Sequence, residues 1–199
     1  MLLNIPNSLT WARIALIPLF VGVFYFPNGW IDEQGKNLCA TLIFIIAAVT
    51  DWFDGYLARA LNQTSAFGAF LDPVADKLMV AAALILLVQL DRVDASIAVV
   101  IIGREITISA LREWMARLGA SAGVAVAFVG KLKTAAQMMA IPLLLFNAPI
   151  LSIDTRPIGS ILVYIAAALT LWSMGYYLHR AMPHLAGEDP GKQGADRVR

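Results

Sequence analysis

The chain has 199 residues, a formal net charge of +1, 59% hydrophobic residues and only 15% charged ones, against roughly 25% charged in an ordinary soluble domain. Near-neutral charge removes the electrostatic argument for nucleic-acid binding, and the apolar content exceeds what a core of this size can bury, so a bilayer is the expected solvent. One cysteine, Cys39, excludes an internal disulfide and any thiolate metal cluster within one chain.

Apolar runs long enough for a spanning helix, about 20 residues at roughly 1.5 Å each, recur along the chain. The first is predicted over 8–27, behind a segment (Met1 to Asn7) whose Leu2, Leu3 and Ile5 suit the membrane interface. It has no basic leader and no small-residue cleavage site, so it is expected to be retained. The other five are predicted over 38–60, 66–90, 95–117, 122–148 and 157–181. Cys39 opens the second and is expected to be a small buried hydrophobe. His179 and His184 come at the end of the last, with no acidic or thiol partner at a metal-ligand spacing.

The fold class is therefore all-α: a polytopic membrane protein with six transmembrane helices, one domain over 1–182. In the remaining stretch, 183–199, Pro183, Gly187, Pro190, Gly191 and Gly194 alternate with charges, which is the composition of a disordered tail. With both termini on one side, that side carries Arg13, Arg59, Arg112, Arg117, Lys131, Lys133, Arg180, Lys192, Arg197 and Arg199. The other carries only Lys36, Arg92 and Arg156. The richer side is the cytoplasmic one.

Into this apolar background falls a polar pattern, D-x-x-D-G-x-x-A-R-x8-G-x3-D-x3-D, formed by Asp51, Asp54, Gly55, Ala58, Arg59, Gly68, Asp72 and Asp76. At 100° per residue Asp51, Asp54 and Arg59 share one helix face with the small residues Gly55 and Ala58. Gly68, Asp72 and Asp76 make a second stripe on the next helix, and Asn62 to Ser65 form a plausible cytoplasmic turn between antiparallel partners. Four carboxylates converging in an apolar place repel one another, whereas two divalent ions balance them charge for charge. Oxygen-only ligands favour Mg²⁺, Mn²⁺ or Ca²⁺, and paired ions suit displacement at phosphorus. Two structural readings compete: Asp72 as a helix cap ahead of Pro73, and a buried ion pair of Asp51 or Asp54 with Arg59. Neither accounts for all four acids.

The pattern resembles the signature of the CDP-alcohol phosphotransferase family and matches it at all eight positions. The resemblance implies a six-helix membrane enzyme of the bacterial inner membrane, usually a homodimer, whose active site faces the cytoplasm. It implies that Asp51, Asp54, Asp72 and Asp76 bind Mg²⁺ or Mn²⁺, with Asp76 also the general base. Gly55, Ala58, Arg59 and Gly68 correspond to the part lying against the cytidine nucleotide of the donor. Asn7, Thr10 and Arg13 add polar contacts there, unless Asn7 or Ser8 merely caps the first helix and Arg13 snorkels.

The stretches Asn4 to Arg13, Ala48 to Gly55, Gly103 to Ile106, Ser109 to Met115 and Gly130 to Thr134, with Gln137, resemble one branch of that family. Its donor is CDP-diacylglycerol and its acceptor glycerol 3-phosphate. An acceptor bearing phosphate needs cations of its own, and Arg104 and Arg112 share a helix face, with Lys131 and Lys133 at the cytoplasmic start of the next span. Membrane anchoring explains the two lysines equally well. Glu105 adjoins Arg104, but adjacent helical residues are not expected to face each other. Inositol phosphate, serine or choline remain alternative acceptors, since the signature concerns the donor. An ion-coupled transporter is disfavoured because the acids cluster at one turn and mark no path across the bilayer.

Overall fold

A computed structural model describes residues 5–60, 66–117 and 125–185; within them the side chains of 5–7, 52, 54–60, 66, 67, 69, 112, 116, 117, 125–128, 180, 181 and 183–185 are not described. The chain forms six helices: α1 (Ile5–Gly22, continued by a 3₁₀ turn at Val23–Tyr25), α2 (Glu33–Ala60), α3 (Ala66–Gln89), α4 (Ala95–Arg117), α5 (Ala125–Phe146) and α6 (Thr155–Leu185). Each predicted span falls on one of them with ends within five residues. The expected tail, from residue 186 on, and the predicted turn at 62–65 lie outside the described residues.

Among the described residues three helical segments are long and apolar enough to cross a membrane: Ser8–Tyr25, Val129–Phe146 and Thr155–His179. In the other three helices charges interrupt the apolar run: Lys36 and Asp51 in α2, Asp72, Asp76 and Lys77 in α3, and Arg104 and Glu105 in α4. All six helices nonetheless turn large apolar side chains outward, among them Leu19, Ile46, Ile85, Val99, Met139 and Ile161. A surface this apolar suits lipid and not water. The protein is an all-helical, polytopic membrane protein.

The main core draws on Phe20 of α1, Phe44 of α2, Leu84 and Leu87 of α3, Ile101 of α4, Ile141 and Leu144 of α5, and Val163 of α6. These lie near the C-terminal ends of α1, α3 and α5 and the N-terminal halves of α2, α4 and α6, so successive helices alternate in direction. One end of the bundle is packed with hydrocarbon. The acidic pattern lies toward the other end. Cys39, expected to be buried, is half-buried on α2, because its helix face is shared with the outer surface.

At the packed end, Arg92 reaches from the α3–α4 connection to the C-terminus of α5, where Nη1 donates to the carbonyls of Leu144 (3.1 Å) and Leu145 (2.8 Å) and Nη2 to Asn37 Oδ1 (2.8 Å). The last carbonyls of a helix have no intrahelical partner, and a cation suits the negative end of its dipole. Burial pulls the Arg92 guanidinium below its ordinary value and Glu33 works the other way. The α5–α6 hairpin is closed by Gly159: a Cβ there would stand 2.7 Å from Leu144 Cγ and 3.3 Å from the Ala140 carbonyl oxygen. Gly159→Ala is expected to lower stability by about 1–3 kcal/mol through overpacking, read as a drop in the thermal midpoint in detergent. An unchanged midpoint would mean that the hairpin yields without cost.

Candidate active site

Helical period explains how the site is assembled. On α1, Thr10, Arg13, Ile17 and Phe20 follow a three-four-three spacing, one face of a helix. Phe20 is fully buried and anchors that face to the core, so Arg13 and Thr10, about two and three turns earlier, point into the bundle too and are 1% and 0% exposed. There they meet α2 and α3. Arg13 Nη1 donates to Asp51 Oδ1, and Thr10 Oγ1 donates to Asp72 Oδ1 at 2.6 Å.

Asp76 lies one turn beyond Asp72 on α3. With Arg13 and Asp51 it lines a cavity of ≈ 10 Å³ floored by Phe44, Met79 and Met138. The charges of Asp51, Arg13, Glu105 and Lys133 all act on Asp76. A buried guanidinium beside two carboxylates fits the rule that interior charges are paired.

One structural alternative for the pattern is corrected. Asp72 is not a helix cap, since α3 begins at Ala66 and Pro73 lies inside it. Asp51 pairs with Arg13, a buried guanidinium from a neighbouring helix, while the suggested partner Arg59 and the other acid Asp54 have side chains outside the described residues. Arg13 is likewise no snorkelling side chain.

Gly68 is buried on α3. The backbones of Asn7, Asp54, Gly55, Ala58, Arg59 and Arg112 are helical as expected, but their side chains lie outside the described residues. Among the described residues no three acidic, His or Cys side chains gather closely enough to hold an ion. Asp51 and Asp76 meet at one cavity, and Asp72 is held beside them by Thr10.

The donor chemistry nevertheless fits a hard divalent cation. Every acidic side chain here offers oxygen, the cavity has room for one water-sized particle, and Arg13 and Thr10 each engage only the Oδ1 of their carboxylate. Holding one oxygen orients the other, which is how outer partners prepare carboxylate ligands.

A second polar cluster joins α4, α5 and α6. Glu105 Oε2 accepts from Lys133 Nζ (2.5 Å) and from Arg104 Nη1 (3.0 Å), and Arg104 Nη2 donates to Ser173 Oγ (2.9 Å). Arg104 and Lys133 are buried, whereas Lys131 is exposed. The expectation that Glu105 and Arg104 do not face each other is wrong: both side chains are long enough to bend to a common point once Lys133 pulls the carboxylate toward α5. Glu105 and Ser173 carry no signal in spacing alone.

This is an α-helical membrane protein with an acidic signature on two neighbouring helices, and residues 3–172 match the CDP-alcohol phosphatidyltransferase family. The chain belongs to that family. It is 51% identical over 183 residues to the CDP-diacylglycerol–glycerol-3-phosphate 3-phosphatidyltransferase of Sodalis glossinidius (strain morsitans), covering 91% of this chain and 96% of that one. The proteins of the same name from Pectobacterium atrosepticum and Escherichia coli K12 are 53% identical (89% and 94% covered) and 50% identical (92% and 97% covered).

Proposed function

We infer that the chain transfers the phosphatidyl group from CDP-diacylglycerol to glycerol 3-phosphate, giving phosphatidylglycerophosphate and CMP. It is a phospholipid-synthesising transferase. The observation that carries this is identity of about half, over about nine-tenths of the chain, to relatives that bear that activity in their names.

In the chemistry, the acceptor hydroxyl oxygen forms a bond to the phosphorus bearing the diacylglycerol, and the bond from that phosphorus to the CMP oxygen breaks. Asp76 takes the hydroxyl proton. Asp51, Asp54, Asp72 and Asp76 hold two divalent ions, Mg²⁺ or Mn²⁺, which when bound neutralise the diphosphate and steady the charge on the leaving CMP. Arg13 and Thr10 keep Asp51 and Asp72 oriented for that task. Gly55, Ala58, Arg59 and Gly68 lie against the cytidine nucleotide, with Asn7 beside them. Arg104, Arg112, Lys131 and Lys133 bind the acceptor's phosphate, Arg104 and Lys133 most directly because they are buried and converge on one point.

The enzyme is assigned to the bacterial inner membrane as a homodimer with six spans per chain, its termini and active site cytoplasmic. The ten-to-three distribution of basic residues supports this orientation. The test is a CMP-release assay with purified protein, CDP-diacylglycerol, Mg²⁺ or Mn²⁺, and glycerol 3-phosphate against inositol phosphate, serine and choline. Release only with glycerol 3-phosphate is expected. Release with another alcohol at equal rate would overturn the acceptor assignment.

A further inference from the structure

Two buried cations, Arg104 and Lys133, meet on a single oxygen, Glu105 Oε2, at 3.0 and 2.5 Å. Ser173 fixes the guanidinium from α6 at 2.9 Å, and its own hydroxyl is committed to the Thr170 carbonyl. The Nε of Arg104 is buried without a hydrogen-bond partner among the described residues. Two converging cationic donors around one anionic oxygen are what a phosphate monoester requires. Here the oxygen belongs to the protein.

We propose that Glu105 is a displaceable internal counter-ion, which occupies the acceptor's phosphate position in the empty enzyme and leaves it when the acceptor binds. The proposal rests on the reading of Arg104 and Lys133 as acceptor-binding cations. Space requires the exchange: both donors converge on the point that Glu105 Oε2 fills, and a phosphate oxygen cannot take that point while the carboxylate holds it. Exposure shows which group can move. The Glu105 side chain is 27% exposed, against 3% for Arg104 and 4% for Lys133.

Glu105 also has a place to go. It borders a cavity of ≈ 180 Å³ between α3 and α4, lined mostly by apolar side chains with Lys77 and Gln137 among them, which leaves the side chain room to turn. In the empty enzyme, Glu105 pairs with both buried cations and keeps them aimed at one point. The exchange also makes Glu105 a specificity residue. An alcohol without an anionic group cannot displace a carboxylate, so it meets a closed site.

The experiment uses the full chain in detergent micelles, with Glu105→Gln as the variant, since the amide keeps the shape and one acceptor oxygen while losing the charge. Affinity for the phosphate position is reduced by the fraction of time that Glu105 fills it, so removing the charge should lower the Michaelis constant for glycerol 3-phosphate by about three- to tenfold. The inhibition constant of inorganic phosphate, a direct binding probe, should fall in parallel, with the donor's Michaelis constant unchanged. Unchanged or raised constants for both anions would overturn the proposal and make Glu105 a fixed strut.

Should the Gln variant not fold, Glu105→Asp carries the same test: its shortened carboxylate holds Lys133 less well, so both constants again fall, and constancy again overturns the idea. Lys133→Ala separates the two levels. If it raises the acceptor constant while Glu105→Gln changes nothing, this proposal fails and the acceptor site stands. If it leaves the acceptor constant unchanged, the acceptor-site reading fails and the counter-ion role falls with it.

Discussion

An Asp76→Asn enzyme is expected to release CMP about 10²–10⁴-fold more slowly than the parent, the usual contribution of a positioned general base. Asn preserves the shape of the side chain beside Arg13 and Asp51, so the cavity and the helix remain, but the amide cannot accept the acceptor's proton. Asp76 is also assigned to an ion, and a second measurement separates the two roles. If proton removal is what is lost, raising Mg²⁺ or Mn²⁺ leaves the variant slow; if ligation alone is lost, excess ion restores it. The thermal midpoint should stay near that of the parent, since Asn keeps the volume of Asp at the cavity that Phe44 and Met79 line. Turnover retained at neutral pH would remove Asp76 from the base role.

Chelation has an effect of comparable size. Treatment with EDTA is expected to bring CMP release to background and added Mg²⁺ or Mn²⁺ to restore it, because uncompensated carboxylates at one end of an apolar bundle repel the donor's diphosphate as well as one another. Full activity after exhaustive chelation would end the two-ion reading. The graded form of this prediction concerns Thr10, whose hydroxyl holds Asp72 Oδ1 at 2.6 Å. Thr10→Val keeps the volume, removes that hydrogen bond and should raise the ion concentration for half-restoration by about 10- to 100-fold, as loss of an outer partner does at metal sites. An unaltered ion requirement would mean that Asp72 needs no orienting. A changed donor constant at saturating ion would instead mark Thr10 as a nucleotide contact.

Much of the fold was legible because the signal is long. Each apolar run exceeds what a loop could contain, and helix length follows from bilayer thickness, so the helix ends agree to within five residues. The charged interruptions were legible too, since they recur at helical spacing on α2, α3 and α4. Pairing was not legible. Periodicity says that Thr10 and Arg13 share a face with Phe20, but it does not say that this face meets Asp51 and Asp72 across a helix boundary. Arg92, counted in sequence only as a far-side charge, proved to satisfy the end of a helix more than 50 positions away.

The sequence by itself determined the solvent, the number and limits of the helices, and the family whose chemistry the eight signature residues encode. Each of these is local: hydropathy, helical period and motif spacing are all read within one or two segments. Only the tertiary structure decided which charges neutralise which. Arg13 answers Asp51 from another helix, and Glu105 draws Arg104 and Lys133 onto one oxygen. The physical reason is that a buried charge must find its partner in space, at distances of about 3 Å, and chain separation is no guide to that. The proposed acceptor site therefore depends on the packing of α4 against α6 and the reach of α5, where Glu105 holds Arg104 and Lys133 together.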